Sequence, residues 1–122
     1  MKKLAVGYAL SASFCTFSKS IAQLKKLVEE GYDIIPIMST NASTKDTRFG
    51  TAESFIAEVE KITNKKIIRT IEDAEPIGPK KICDVLVVAP CTGNTLGKIA
   101  NGITDTPVTM AVKSHLRIQR PV

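Results

Sequence analysis

Apolar residues fall in two rhythms along this chain. Three short runs are apolar at nearly every position: LAVGYAL near the start, IIPIM at Ile34–Met38 and VLVVA at Val85–Ala89. Between the runs, apolar residues recur every three or four positions. The first rhythm predicts strands covered on both faces, and the second predicts amphipathic helices packed against them. Lys3–Leu10 therefore reads as a strand, followed by a linker, Ser11–Phe17. Ile21, Leu24, Leu27 and Val28 share one helical face, with Ser18 as N-cap and Gly31 as stop. Ile34–Met38 is the next strand. Strand, helix and strand at this spacing make a βαβ unit with parallel strands.

The pattern continues. Asn41–Gly50 is a polar loop, and Thr51 caps a second helix with Phe55, Ile56, Val59 and Ile62 inward. KKIIRTI reads as a minor strand or an extended stretch, and AEPIGPKK as a loop, because it holds two prolines and a glycine. Val85–Ala89 is the clearest buried strand. A third helix is predicted from about Asn94 to Asn101. A fourth follows, with Thr106 as cap, Pro107 at its first position, and Val108, Ala111, Val112 and His115 inward. Pro121 and Val122 read as the start of another strand. The expectation is one α/β domain over residues 1–122, a parallel sheet between helical layers, truncated after the fourth helix.

Composition changes this picture little. The lysine pairs are scattered, so the net charge of +5 reads as solvated helix ends and loops, not a nucleic-acid patch. Aromatics are only 5%, which is poor for stacking on unpaired bases. No apolar run approaches the ~20 residues of a membrane helix. The opening MKKLAVGYALSASFC also has the makings of a secretion signal. Cleavage near Ser13 would strip the βαβ unit of its first strand, so the strand reading is preferred. The three cysteines, Cys15, Cys83 and Cys91, have no CxxC spacing and read as reduced thiols in a cytosolic protein.

Ligands of open parallel sheets bind beyond the carboxyl ends of the strands. Three loops leave those ends, carrying SASFCT, STNAST and PCTGNT. Their hydroxyls and helix N-termini suit an anion on the first helix and a flat ring between the other loops. GNTLGK (Gly93–Lys98) mimics a phosphate loop but has three residues between its glycines, not four, and Ile99 where a hydroxyl must hold magnesium. The GxGxxG dinucleotide fingerprint is absent, which favours a mononucleotide. The one histidine, His115, has no ligand or triad partners in pattern, so no metal site is expected. Cys91 reads as a buried, inert thiol ahead of a reactive one. Arg48, with Lys45 beside it in a polar loop at the ligand edge, is the candidate grip on a carboxylate.

VLVVAPCTGNTLGKIANGITDTPVTMA is similar to the AP-x-T-x-NT-x-x-K-x-ANG-x-x-D segment of the flavoprotein family, which includes the FMN-dependent cysteine decarboxylases. With SFCT, KDTRFG, AEPIGPK and RPV it resembles, over essentially the whole chain, the family's branch of dipicolinate synthase B subunits from spore-forming bacteria. The resemblance implies a flavodoxin-like Rossmann three-layer α/β/α fold, continuing past Val122, and FMN, either bound or vestigial. It implies that Ser13, with Ser11 as second candidate, holds the phosphate and that Ser39 meets the nucleotide. Ala89, Pro90, Thr92, Asn94 and Thr95 would line the isoalloxazine or ribityl side. It further implies a dehydrogenase-like partner, the dipicolinate synthase A subunit, and a dihydro- or tetrahydrodipicolinate. As this substrate is a small dicarboxylate, Arg48 and Lys45 are its candidate contacts. A homo-oligomer in the cytoplasm of the sporulating mother cell is the implied setting. Two positions depart from the family. Ala12 stands where relatives have Gly, and residues 40–60 lack the decarboxylases' histidine, which argues against cysteine decarboxylation. The alternatives are an FMN-dependent decarboxylase or prenyltransferase relative, or a non-catalytic flavin-binding module.

Overall fold

The computed structural model describes residues 3–122. Three strands, β1 (Ala5–Leu10), β2 (Asp33–Met38) and β3 (Val85–Val88), form one parallel sheet in the order β2-β1-β3. β1 pairs with both neighbours, from Ala5 opposite Asp33 to Leu10 opposite Met38 on one side and Val6 opposite Val85 to Ala9 opposite Val88 on the other. The segment KKIIRTI contributes a single parallel bridge, Ile68 to Ile37.

Successive strand residues point to opposite faces, and both faces are covered. Val6, Tyr8, Leu10, Ile34 and Met38 meet α1 (Phe17–Glu29) and α3 (Ala52–Thr63) through Phe17, Ile21, Leu24, Phe55 and Val59. The rings of Phe17 and Phe55 join the two helices edge to face, centroids 5.0 Å apart. On the other face Ala9, Ile35, Ile37 and Leu86 meet α4 (Ile71–Ala74), the 3₁₀ turn Glu75–Ile77 and α6 (Pro107–Arg117). Each fully buried Leu or Ile in these layers contributes roughly 1.5–3 kcal/mol. The expected three-layer α/β/α arrangement is therefore the one observed. At Gly7 an added Cβ would lie 2.6 Å from Leu86 Cδ1 and 2.9 Å from Cys83 Sγ, so a larger residue there would force these buried side chains to shift.

Local structure differs from the sequence reading in five places. The first helix starts earlier than Ser18. A 3₁₀ turn, Phe14–Thr16, runs straight into α1, whose N-cap is Thr16. The polar stretch after β2 holds a short helix, α2 (Thr40–Thr44), capped by Ser39. AEPIGPKK is not all loop: it begins at the end of α4, which Thr70 caps, and continues as the 3₁₀ turn. Helix α5 (Gly93–Ala100) begins one residue before the predicted start. The chain end lies against β3, where Leu86 N–H donates to Pro121 O at 3.1 Å, but it forms no strand.

Candidate functional site

The carboxyl ends of β1, β2 and β3 are tied together by hydrogen bonds. Ser39 N–H donates to Leu10 O, and Ala89 N–H donates to Ala9 O. Ser11 binds the third loop three times: its N–H donates to Pro90 O at 3.1 Å, and its Oγ donates to Pro90 O at 2.6 Å and accepts from Thr92 N–H at 2.9 Å. Behind this, Tyr8 Oη bonds to Ser20, and Ser20 Oγ donates to Ala89 O. The Ala89–Pro90 peptide is cis. Buried hydroxyls thus fix the turn after β3 from both sides.

These loops close around a cleft of about 420 Å³ lined by Ala12, Ser39, Thr40, Asn41, Thr92, Asn94, Thr95, Lys98, Asp105 and Thr106. That volume lies within the ~300–1,000 Å³ of small-molecule sites. Three of the lining residues are N-caps. Ser39 Oγ accepts from Ala42 N–H, Thr92 Oγ1 from Thr95 N–H and Thr106 Oγ1 from Thr109 N–H. The N-termini of α2, α5 and α6 therefore border one space, and their free N–H groups and dipoles favour negative charge there. The cleft's cation is Lys98, whose Nζ donates to both oxygens of Asp105 at 2.9 and 3.2 Å.

Of the predicted residues, Ser39, Thr92, Asn94 and Thr95 line the cleft together. Ser11 is 1% exposed, with its hydroxyl engaged in holding the third loop. Ser13 is half-buried; its Oγ accepts from Thr16 Oγ1 at 2.9 Å, and it does not line the cleft. Ala89 and Pro90 present carbonyls to Ser20 and Ser11. Lys45 ends α2 as its C-cap and is exposed. Arg48 is exposed on the turn beyond, its guanidinium over the Phe49 ring at 4.9 Å. Neither lines the cleft.

The sequence reading passed over Thr40, Asn41, Lys98 and Asp105. Lys98 carries a usable signal. It stands four residues after Asn94 and three after Thr95, so one helical face must carry all three.

Cys91 is exposed, not buried as expected, although partial desolvation still pushes its thiol pKa up, so it stays protonated at neutral pH. The lining holds no histidine and its one carboxylate is paired, so the cleft is equipped to bind and orient. Among the described residues no group of three or more His, Cys, Asp or Glu could hold a metal ion.

The flavoprotein family pattern matches residues 1–122. The chain is 39% identical to the B subunit of dipicolinate synthase from Bacillus subtilis (strain 168) over all of its length, spanning 61% of that protein. The crystal structure of the corresponding B subunit from Bacillus halodurans C superposes with a TM-score of 0.84 at 39% identity, covering 98% of this chain and 61% of that one. The structure of AnUbiX in complex with FMN and dimethylallyl pyrophosphate shares the fold, with a TM-score of 0.72 at 17% identity over 98% of this chain and 62% of that one. The chain thus spans about three-fifths of the length of these relatives.

Proposed function

The chain belongs to the flavoprotein family, and from that premise we propose that its cleft takes a flavin mononucleotide and that the chain serves as the B-type subunit of a dipicolinate synthase. The observation that carries this reading is the convergence of three hydroxyl-capped turns on one cleft. The donor set suits the ligand. Thr40, Asn41 and Asn94 offer hydroxyl and amide groups to a polar ring edge and ribityl chain, while helix N-termini and Lys98 answer a phosphate. Ala12 borders the same space. Ser13, just outside the lining, is the hydroxyl donor proposed for the phosphate on the approach from β1.

When bound, a flavin supplies the capacity to accept or return a hydride, which oxidation of a dihydropyridine-type dicarboxylate requires. The chain's own residues do the rest. Ser11 and Ser20 hold the Ala89–Thr92 turn in place. Thr92 and Thr95, joined Oγ1 to Oγ1 at 2.9 Å, hold the start of α5 against the ligand. Lys98 meets an anionic group and keeps it in register. Lys45 and Arg48, outside the lining, draw a dicarboxylate toward the edge by their charge. A dehydrogenase-like second protein, with assembly of several copies, completes the proposed enzyme. Decarboxylation is not proposed, since residues 40–60 carry no histidine.

The test is direct. The purified chain is examined for flavin absorbance and titrated with FMN while flavin fluorescence is followed. Saturable quenching, weakened by Asn94→Ala, is the expected result. Absence of binding removes the flavin reading. Production of dipicolinate only when a dehydrogenase-like partner is added supports the two-component reading, and its absence with FMN-loaded protein overturns that part alone.

A further inference from the structure

A second concavity of about 400 Å³ lies between the end of α5, the segment after it and the outer side of α6. Its wall is apolar: Ile99, Ile103, Val112 and Leu116. Ile103 is 45% and Leu116 49% exposed. Its rim is cationic. Lys113 and Arg117 line it, both exposed and four residues apart on α6. Like charges at that spacing repel. Among the described residues neither has a carboxylate within ion-pair distance. Glu75 shares a small cavity with both on the other side of α6 and pairs with neither. An exposed apolar strip bordered by two unneutralised cations is complementary to an apolar stripe with an acidic margin.

The groove is continuous with the candidate site. Gly102, Ile103 and Thr104 form its wall, and the next residues, Asp105 and Thr106, line the cleft. Lys98, paired with Asp105, stands directly before Ile99 of the groove. Anything seated in the groove would press on the segment that shapes the cleft.

We propose that this groove is a docking surface for a second protein that presents an amphipathic helix with acidic residues flanking its apolar stripe. Ile103 and Leu116 receive the apolar side chains and Lys113 and Arg117 pair with the carboxylates. The proposal concerns a different surface from the cleft and does not depend on which ligand the cleft takes.

The probe is a dye-labelled helical peptide of about 15 residues, near the minimum length for an isolated helix. It carries leucines on one face and glutamates beside them, and a lysine-flanked peptide of the same pattern is the control. Anisotropy with the whole chain should show the acidic peptide binding, and binding weaker by roughly tenfold or more in Lys113→Glu/Arg117→Glu, a change of about 1.4 kcal/mol. Binding should also fall with added salt, because exposed charges are screened. Circular dichroism of the double variant, whose positions lie outside the cleft, checks that it is folded. Equal binding of both peptides, no binding of either, or an unchanged affinity in the folded double variant overturns the proposal. So does sedimentation showing a self-association that Ile103→Glu abolishes, since a second copy would then own the groove, and so does loss of peptide binding in a chain extended to the length of its relatives, of which these residues span 61%, since its own continuation would then cover the groove.

Discussion

Ser114, on α6, shows how far one hydroxyl reaches. Its Oγ donates to Glu75 O and accepts from Gly78 N–H at 2.7 Å, fastening the 3₁₀ turn to the helix. A Cβ on Gly78 would lie 2.0 Å from Ser114 O. Gly78→Ala should therefore cost at least about 2 kcal/mol, since backbone must move to relieve the overlap; an unchanged urea midpoint would contradict this close approach. His115, beside Ser114, is wholly buried with neither ring nitrogen hydrogen-bonded. Burial pushes its pKa down; the Pro121 carbonyl opposes this without reaching hydrogen-bond geometry, Arg120 reinforces it and Asp84 opposes it. With a folded pKa below the unfolded value of about 6.5, the unfolded chain binds the proton more readily. Stability should be fully present above that value and decline as pH falls below it. Urea midpoints measured from pH 7.5 downward should show this decline, and His115→Leu should flatten it. An identical slope in the variant would clear His115 of the effect. Cys83, with its pKa raised to about 11 mainly by burial, stays a neutral thiol throughout.

At the level of elements, the cleft is made of helix beginnings. Thr92 caps α5 through Thr95 N–H, and the same hydroxyl reaches Thr95 Oγ1. Thr92→Ala should cost about 1 kcal/mol of stability and weaken FMN binding, whereas Thr92→Ser, which keeps the cap, should restore both. Loss of binding in the serine variant as well would assign the effect to the methyl group instead. Ser11→Ala leaves Thr92 N–H without its partner, a cost of about 1–3 kcal/mol. Because Ser11 does not line the cleft, any loss of FMN affinity in that variant would measure positioning, and turn-loosening should appear as faster amide exchange at Thr92. The elements missed in the sequence, α2 and α4, are short and carry little apolar periodicity. Each is a single turn fixed by an N-cap, Ser39 or Thr70, and by packing of one alanine, Ala42 or Ala74, into the core.

Across the whole molecule, the sheet order β2-β1-β3 creates the site. The chain passes from β1 to β2 on one side and later crosses back to β3 on the other side of β1, and the crevice forms where the strand order reverses. Charge at that edge should act in two ways. Lys98→Ala, which removes the cleft's own cation, should raise KM for an anionic substrate. Arg48→Ala should change KM only at low salt, as a remote charge does. Equal effects that salt does not alter would place Arg48 on the substrate. The three strands, the parallel α/β class and the sheet edge at which hydroxyl-rich turns gather can all be read from the order of residues alone. Burial on both faces writes continuous apolar runs, and caps write Ser and Thr at helix starts, so both are local signals. Which hydroxyls line the cleft depends on how the packed elements aim them. Ser11 and Ser39 look alike in sequence, yet one is consumed in fastening the loop after β3 and the other borders the cleft. Packing also makes Lys98, and not Arg48, the cation inside. Those outcomes depend on contacts between residues about eighty positions apart, as in Ser11 with Pro90 and Thr92, and side-chain direction at such distances is set by packing that no short window of sequence contains.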